Sequence, residues 1–113
     1  MATVEDIIAQ RDAAIAVLMR QIIAANDLKN GGALGFDEKI NALEEQKAAL
    51  AAQAYEAALD DPAMARALAA LRAATKEMND VARTMITATA FIANFSALID
   101  ATNKLIPVLE GVG

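Results

Sequence analysis

The stretch from Pro62 to Ile106 constrains the fold of this chain most. It is 45 residues long, the 44 residues after Pro62 contain neither glycine nor proline, and no cluster of turn-forming residues interrupts it. Such a stretch is typical of continuous helix. At 1.5 Å per residue it predicts one helix about 67 Å long. Pro107 is expected to end this helix.

The second half of this predicted helix has a heptad pattern typical of a coiled coil. The a positions are Met78, Met85, Ile92, Ile99 and Ile106, and the d positions are Val81, Ala88, Phe95, Thr102 and Leu109. The g positions add Phe91, Leu98 and Leu105. The apolar face is therefore broader than a two-stranded seam, which favours a helical bundle.

Composition and local signals predict two further helices. Alanine, the strongest helix former, supplies 29 residues. Thr3 and Asp6 resemble a capping box that starts a helix from Val4 to about Lys29, and Gly31 and Gly32 would end it. A second apolar stripe begins at Phe36, where Gly35 or Asp37 could cap it, and runs to about Leu59. The motif Asp60-Asp61-Pro62 then starts the third helix.

The predicted fold class is all-α, with one helical domain over residues 1–113 and helices at about 4–29, 36–59 and 62–106. An antiparallel hairpin would pack on the long third helix as a three-helix bundle. The alternative is a four-helix bundle, in which the third helix breaks near Asn79-Asp80, with Asp80 as N-cap, and folds back.

The helix lengths are mismatched, because the first two helices can cover only about the first 25 residues of the third. The rest carries an apolar stripe too large for a soluble monomer to leave in water. We therefore expect a second copy or another protein to cover it, with Phe95 as the central anchor. The predicted partner-binding residues are Met85, Phe91, Ile92, Phe95, Leu98, Ile99, Leu105, Ile106 and Leu109.

Charged residues within the apolar stripes suggest a buried polar pair. Counting back from the turn at Asp60-Asp61 brings Lys47 and Glu77 within about one helical turn of each other. Such a pair could set the register of the hairpin or receive the charge of a partner. Alternatively, Lys47 and Arg11 extend their charged ends to water from the edges of their stripes.

The residue types exclude most catalytic chemistry. The chain has no His and no Cys, so it lacks the usual proton shuttle and thiolate or imidazole metal ligands. Adjacent carboxylates such as Glu44 and Glu45 point about 100° apart on a helix and do not converge on an ion. We expect no enzyme, no cofactor and no metal. A net charge of −5 argues against nucleic acid and favours a basic protein partner.

These features predict a non-catalytic, self-associating or partner-binding helical module, of the kind that neutralises or inhibits another protein. No signal-peptide pattern opens the chain, so a cytoplasmic location is expected, although secretion by a signal-less route stays open. The charge-free stretch 84–99 supports an alternative, a membrane-active helical protein such as a pore-forming component. A resident membrane span is not expected, because the stretch is short and carries polar residues.

Overall fold

The computed structural model describes residues 3–52 and 61–112, which form an all-α structure with no strand in those ranges. The helices are α1 (Val4–Asn30), α2 (Phe36–Ala51), α3 (Asp61–Ala82) and α4 (Ala88–Val112). They pack against one another as a helical bundle. The predicted fold class is therefore confirmed at the level of an all-α bundle.

Local capping chemistry starts and ends the first helix as the sequence predicts. The Asp6 backbone N–H donates to the Thr3 hydroxyl at 3.2 Å, and the Thr3 backbone N–H donates to the Asp6 carboxylate at 2.9 Å. Gly31 caps the other end of α1. Gly35, with φ at +80°, is the N-cap of α2, a left-handed conformation that suits glycine.

The second helix ends earlier than predicted. Its last residue is Ala51, and the backbone N–H of Ala52 closes the final turn onto the carbonyls of Ala48 and Leu50. The predicted continuation to Leu59 and the proposed cap at Asp60 lie outside the described residues. The start of α3 at Asp61, directly before Pro62, agrees with the prediction.

The predicted continuous helix from residue 62 to 106 is wrong, because a loop at residues 83–87 divides it into α3 and α4. The break is also not at Asn79-Asp80, the position considered for a fold-back. Thr84 donates its hydroxyl to the Val81 carbonyl at 2.7 Å at the end of α3. Thr87 accepts from the Ala90 backbone N–H at 3.1 Å and so caps the start of α4. Two threonines thus provide the stop and start signals without glycine or proline.

Burial of the α4 stripe explains why the chain folds back here. Phe91, Leu98, Leu105 and Leu109 are fully buried within this single chain. Each such side chain contributes roughly 1.5–3 kcal/mol relative to exposure in water. This gain exceeds the cost of replacing about one helical turn by a loop, especially in a segment containing β-branched residues that form helix less readily than alanine.

Pro107 does not end the last helix, contrary to the prediction, since α4 continues through it to Val112. Proline lacks the N–H that would bond to the carbonyl of Asn103, four residues earlier. The residues on either side nevertheless keep the helix packed, because Leu105 and Leu109 are fully buried. Packing against the bundle therefore outweighs the lost backbone hydrogen bond.

Side-chain contacts define the direction of each helix. Phe36 and Phe91 meet at the first turns of α2 and α4, and Gln46 bonds to Asn103 further along both, so α2 and α4 run parallel. Helices α3 and α4 form an antiparallel hairpin, as α1 and α2 do. Helix α1 packs on α2, α3 and α4, whereas the described residues of α2 do not contact α3. The loops 31–35 and 83–87 therefore lie at the same end of the bundle.

Substituting Thr87→Ala is expected to lower the free energy of unfolding by about 0.5–2 kcal/mol, because the first turn of α4 loses its capping hydroxyl. The matched control is Thr89→Ala, two residues further on, where an exposed threonine within the helix is replaced. Urea denaturation of both variants measures the difference. If both variants unfold at the same urea concentration, Thr87 does not act as the cap.

Candidate functional site

The predicted partner-binding residues lie mainly inside the chain's own core. Phe95, Ile99 and Ile106 are partly buried and pack against that core. Only Ile92 is largely exposed. The fully or almost fully buried members of the set are Met85, Phe91, Leu98, Leu105 and Leu109. The heptad pattern thus identified a buried face correctly, but the face is covered by α1, α2 and α3 instead of a second molecule.

Phe95 lies beside an aromatic cluster and is not the centre of an exposed surface. Its ring stacks on Phe91 with centroids 6.2 Å apart, and Phe91 meets Phe36 at 5.2 Å. The ammonium group of Lys39 lies 5.6 Å from the Phe95 ring centroid, within the range of a cation–π interaction. An anchor between chains requires an exposed ring, whereas the Phe95 ring is partly buried within its own chain. The structure therefore does not support the prediction that Phe95 anchors an interface.

The predicted buried pair of Lys47 and Glu77 is also not formed. Glu77 is half-exposed and accepts hydrogen bonds from Lys104 at 3.0 and 3.1 Å, which joins α3 to α4. Lys47 is on α2, whose described residues do not contact α3. The count from the turn failed because the fold-back places α4, not α2, beside Glu77.

Exposed large apolar side chains concentrate at the end of the bundle that carries the two hairpin loops. Leu34 in the first loop is 89% exposed, Ile86 in the second is 79% exposed, and Ile92 in the second turn of α4 is 52% exposed. Single exposed apolar residues are ordinary on protein surfaces. Three at one end of a small bundle are a stronger sign of a binding surface. We call Leu34, Ile86 and Ile92, with the hollow described next, the loop-end surface.

A hollow of about 340 Å³ opens beside Ile86, between the last turns of α1 and the loop 83–87. Its size suits one or two side chains of a partner. The apolar part of its wall belongs to Ala24, Leu28, Ala82 and Met85, and Gln21 and Asp27 complete it.

A second, cationic hollow of about 230 Å³ adjoins the first along α1 and α3. Arg20 and Arg83 line it, and Arg20 donates to Asn79 at 3.0 Å. Gln21 lines both hollows, and its buried Oε1 has no hydrogen-bond partner. The two hollows together can receive an apolar group beside a carboxylate, because arginine pairs well with carboxylates.

Among the described residues, no group of three or more acidic, histidine or cysteine side chains comes together in a way that could hold a metal ion. None of the described helices combines the length and the apolar character required to cross a membrane.

Comparison of the chain with protein-family models, with curated proteins and with solved structures gave no match.

Sequence reasoning missed most of the loop-end surface. Leu34 carried a usable signal, because a large apolar residue within the glycine-rich loop 31–35 has no helical face to join. Ile86 carried none, since it lay inside a segment predicted to be helix. Ile92 is among the predicted partner-binding residues, but as a member of the α4 stripe, which is mostly buried.

Proposed function

We propose that this protein is a non-catalytic helical module that binds another protein through the loop-end surface. The observation that carries the proposal is Ile86, a large aliphatic side chain exposed at the rim of an apolar hollow. In water, the apolar side chains of α1 and of the loop 83–87 that line the hollow stay in contact with solvent. A partner side chain seated in the hollow would bury the apolar area of both walls, which is favourable.

The charges beside the hollow suggest the chemistry of the partner segment. Although the whole chain carries a net charge of −5, the neighbouring hollow has two arginines in its wall, Arg20 and Arg83. A partner segment with an apolar side chain next to an acidic residue fits both hollows at once. This replaces the basic partner expected from net charge, because association responds to the local potential at the contact.

The proposed module acts by occupying a surface of its partner, as inhibitors and neutralising proteins do, and we propose the cytoplasm as its location. It needs no cofactor, metal or nucleic acid for this action. Binding of a preformed helical end involves little rearrangement, which limits the entropic cost of association.

The test compares Ile86→Asp with Ala73→Asp as immobilised baits in lysate of the source cells. Ala73 is exposed on α3 outside the loop-end surface, so its substitution adds the same carboxylate elsewhere. We expect wild type and Ala73→Asp to retain one protein in stoichiometric amount, and Ile86→Asp to retain at least about tenfold less, because a charge would be desolvated in an apolar contact. Circular dichroism and urea denaturation show whether both variants fold.

Equal retention of every captured protein by the two variants would contradict the proposal. A parallel assay with dye-loaded vesicles that contain anionic lipid tests the membrane-active alternative. Dye release by wild type that Ile86→Asp abolishes would favour that alternative over protein binding.

A further inference from the structure

The outward face of α1 consists of residues outside the loop-end surface, although Arg20 at its edge also lines the cationic hollow. Met19 and Ile23 are 48% and 61% exposed on this face. Ala9, Ala13 and Ala16 continue it toward the start of the helix and are also exposed. Ala9, Ala16 and Ile23 are spaced by seven residues, the repeat of helices that pack on another helix. A helix already packed on three neighbours thus has a second, unpartnered apolar side.

We propose that this face binds the same face of a second copy of the chain, with the two α1 helices antiparallel about a two-fold axis at Ala16. In such a pair, a residue that follows Ala16 by a given number lies opposite the residue that precedes it by the same number. Met19 then faces Ala13 of the second copy, and Ile23 faces Ala9. Each large side chain meets a small one, which allows close interdigitation of the helices.

Charge complementarity close to Ala16 supports a second copy as the occupant in this register. Asp12 lies four residues before Ala16 and Arg20 four residues after it, so Asp12 of each copy faces Arg20 of the other. Both residues are exposed. Arg20 uses one terminal nitrogen to bond to Asn79, and Asp12 receives Arg11 at one carboxylate oxygen. Arginine has five N–H donors and a carboxylate has two oxygens, so both groups retain capacity for a contact between copies.

The two-fold axis forms this ion pair twice on either side of the apolar centre. One pairing in the same register is unfavourable, since Glu5 faces Asp27. These residues lie about 16 Å from the axis, at 1.5 Å per residue. Both are exposed, and two helices that cross at about 20° diverge away from the two-fold axis, so water and salt screen this pair more than the central one.

A charge-reversal experiment tests the register directly. Asp12→Arg alone gives two pairs of facing arginines, and Arg20→Asp alone gives two pairs of facing aspartates. Sedimentation equilibrium over a range of about 1–300 µM covers the affinities expected of a small interface. We expect wild type to dimerise and each variant alone to have a dissociation constant at least about tenfold higher.

An equimolar mixture of the two variants is the decisive arm. In a mixed dimer, the arginine introduced at position 12 faces the aspartate introduced at position 20, and the native Arg20 faces the native Asp12. Dimerisation is therefore expected to return to within about threefold of wild type. A monomeric wild type, or a mixture that stays as weak as the separate variants, would overturn the proposal.

Cysteine cross-linking provides a second measurement, which is clean because the chain has no native cysteine. When two helices pack with their axes about 8–10 Å apart, residues that face each other at the two-fold axis are within reach of a disulfide. On mild oxidation, Ala16→Cys should link to itself, whereas Ala9→Cys faces Ile23 and should not. Equal linking of both variants would contradict the antiparallel register.

The two proposals fail separately. Both proposals involve Arg20, but Ile86→Asp changes only the loop-end surface and leaves Asp12, Ala16 and Arg20 intact. If Ile86→Asp loses the partner but still dimerises, the self-association through α1 is not contradicted. If wild type is monomeric but still retains its partner, only the self-association is contradicted.

Discussion

Phe91→Ala is expected to lower the free energy of unfolding by about 3–5 kcal/mol, as large-to-small substitutions of buried aromatic residues do. Phe91 is fully buried and its ring contacts Phe36 on α2 and Phe95 on α4. Removing the ring leaves a cavity at the end of the bundle where α2 and α4 begin. Urea denaturation monitored by circular dichroism measures the loss, with the m-value as a check on two-state behaviour.

The neighbouring residue provides the control for this prediction. Ile92→Ala removes a half-exposed aliphatic side chain from the same turn of α4 and is expected to cost less than about 1 kcal/mol. The two substitutions thus compare the inside and the outside of one helical turn. If Phe91→Ala instead changed the oligomeric state and left the unfolding transition unaltered, the α4 stripe would belong to an interface between chains.

Pro107→Ala is expected to raise the free energy of unfolding by about 1–2 kcal/mol. Proline inside a helix costs about 3 kcal/mol or more, and alanine supplies the missing N–H to the carbonyl of Asn103. Proline also restricts the unfolded chain, an effect worth about 0.4–1 kcal/mol that the substitution gives up. The expected value is the remainder, reduced because Pro107 lies near the end of α4.

Pro62→Ala is the matched control, because Pro62 is the second residue of α3, where a backbone N–H has no partner within the helix. Its substitution should change stability by less than about 0.5 kcal/mol. Thermal or urea denaturation of the two alanine variants makes the comparison. A decrease in stability for Pro107→Ala would show that the proline ring contributes packing that outweighs the restored hydrogen bond.

Local signals in the sequence were sufficient for the helix ends that depend on nearby residues. Thr3 with Asp6, Gly31, Gly35 and Pro62 act within one turn, and each marks an end or a start that the structure contains. Capping geometry involves neighbours in sequence, so it can be recognised without knowledge of the packing.

The break at residues 83–87 could not be read from local signals in the same way. Its threonines are compatible with a helix interior as well as with a cap. What decides between these states is the apolar area that Phe91, Leu98 and Leu105 bury when α4 folds back, a quantity set by the whole bundle. Periodicity identified which side of α4 is buried, but it does not say which molecule covers that side.

The candidate site could not be predicted from the sequence for the same reason. Ile86 lies between two elements whose existence depends on the fold-back, and its exposure follows from the path of the loop. The predicted pair of Lys47 and Glu77 assumed that α2 lies beside α3, whereas Glu77 meets Lys104 on α4. An error in one helix boundary thus changed both the predicted site and the predicted polar contact.

The direction of the helices determines how the protein can be attached to a support. Because both hairpin loops lie at one end, the start of α1 at Val4 and the end of α4 at Val112 lie toward the other. Helices of 27 and 25 residues separate these points from the loops by roughly 35–40 Å. A tag, dye or surface linkage at either terminus therefore leaves Leu34 and Ile86 facing solution, so immobilised protein presents the loop-end surface in one orientation whichever terminus is used.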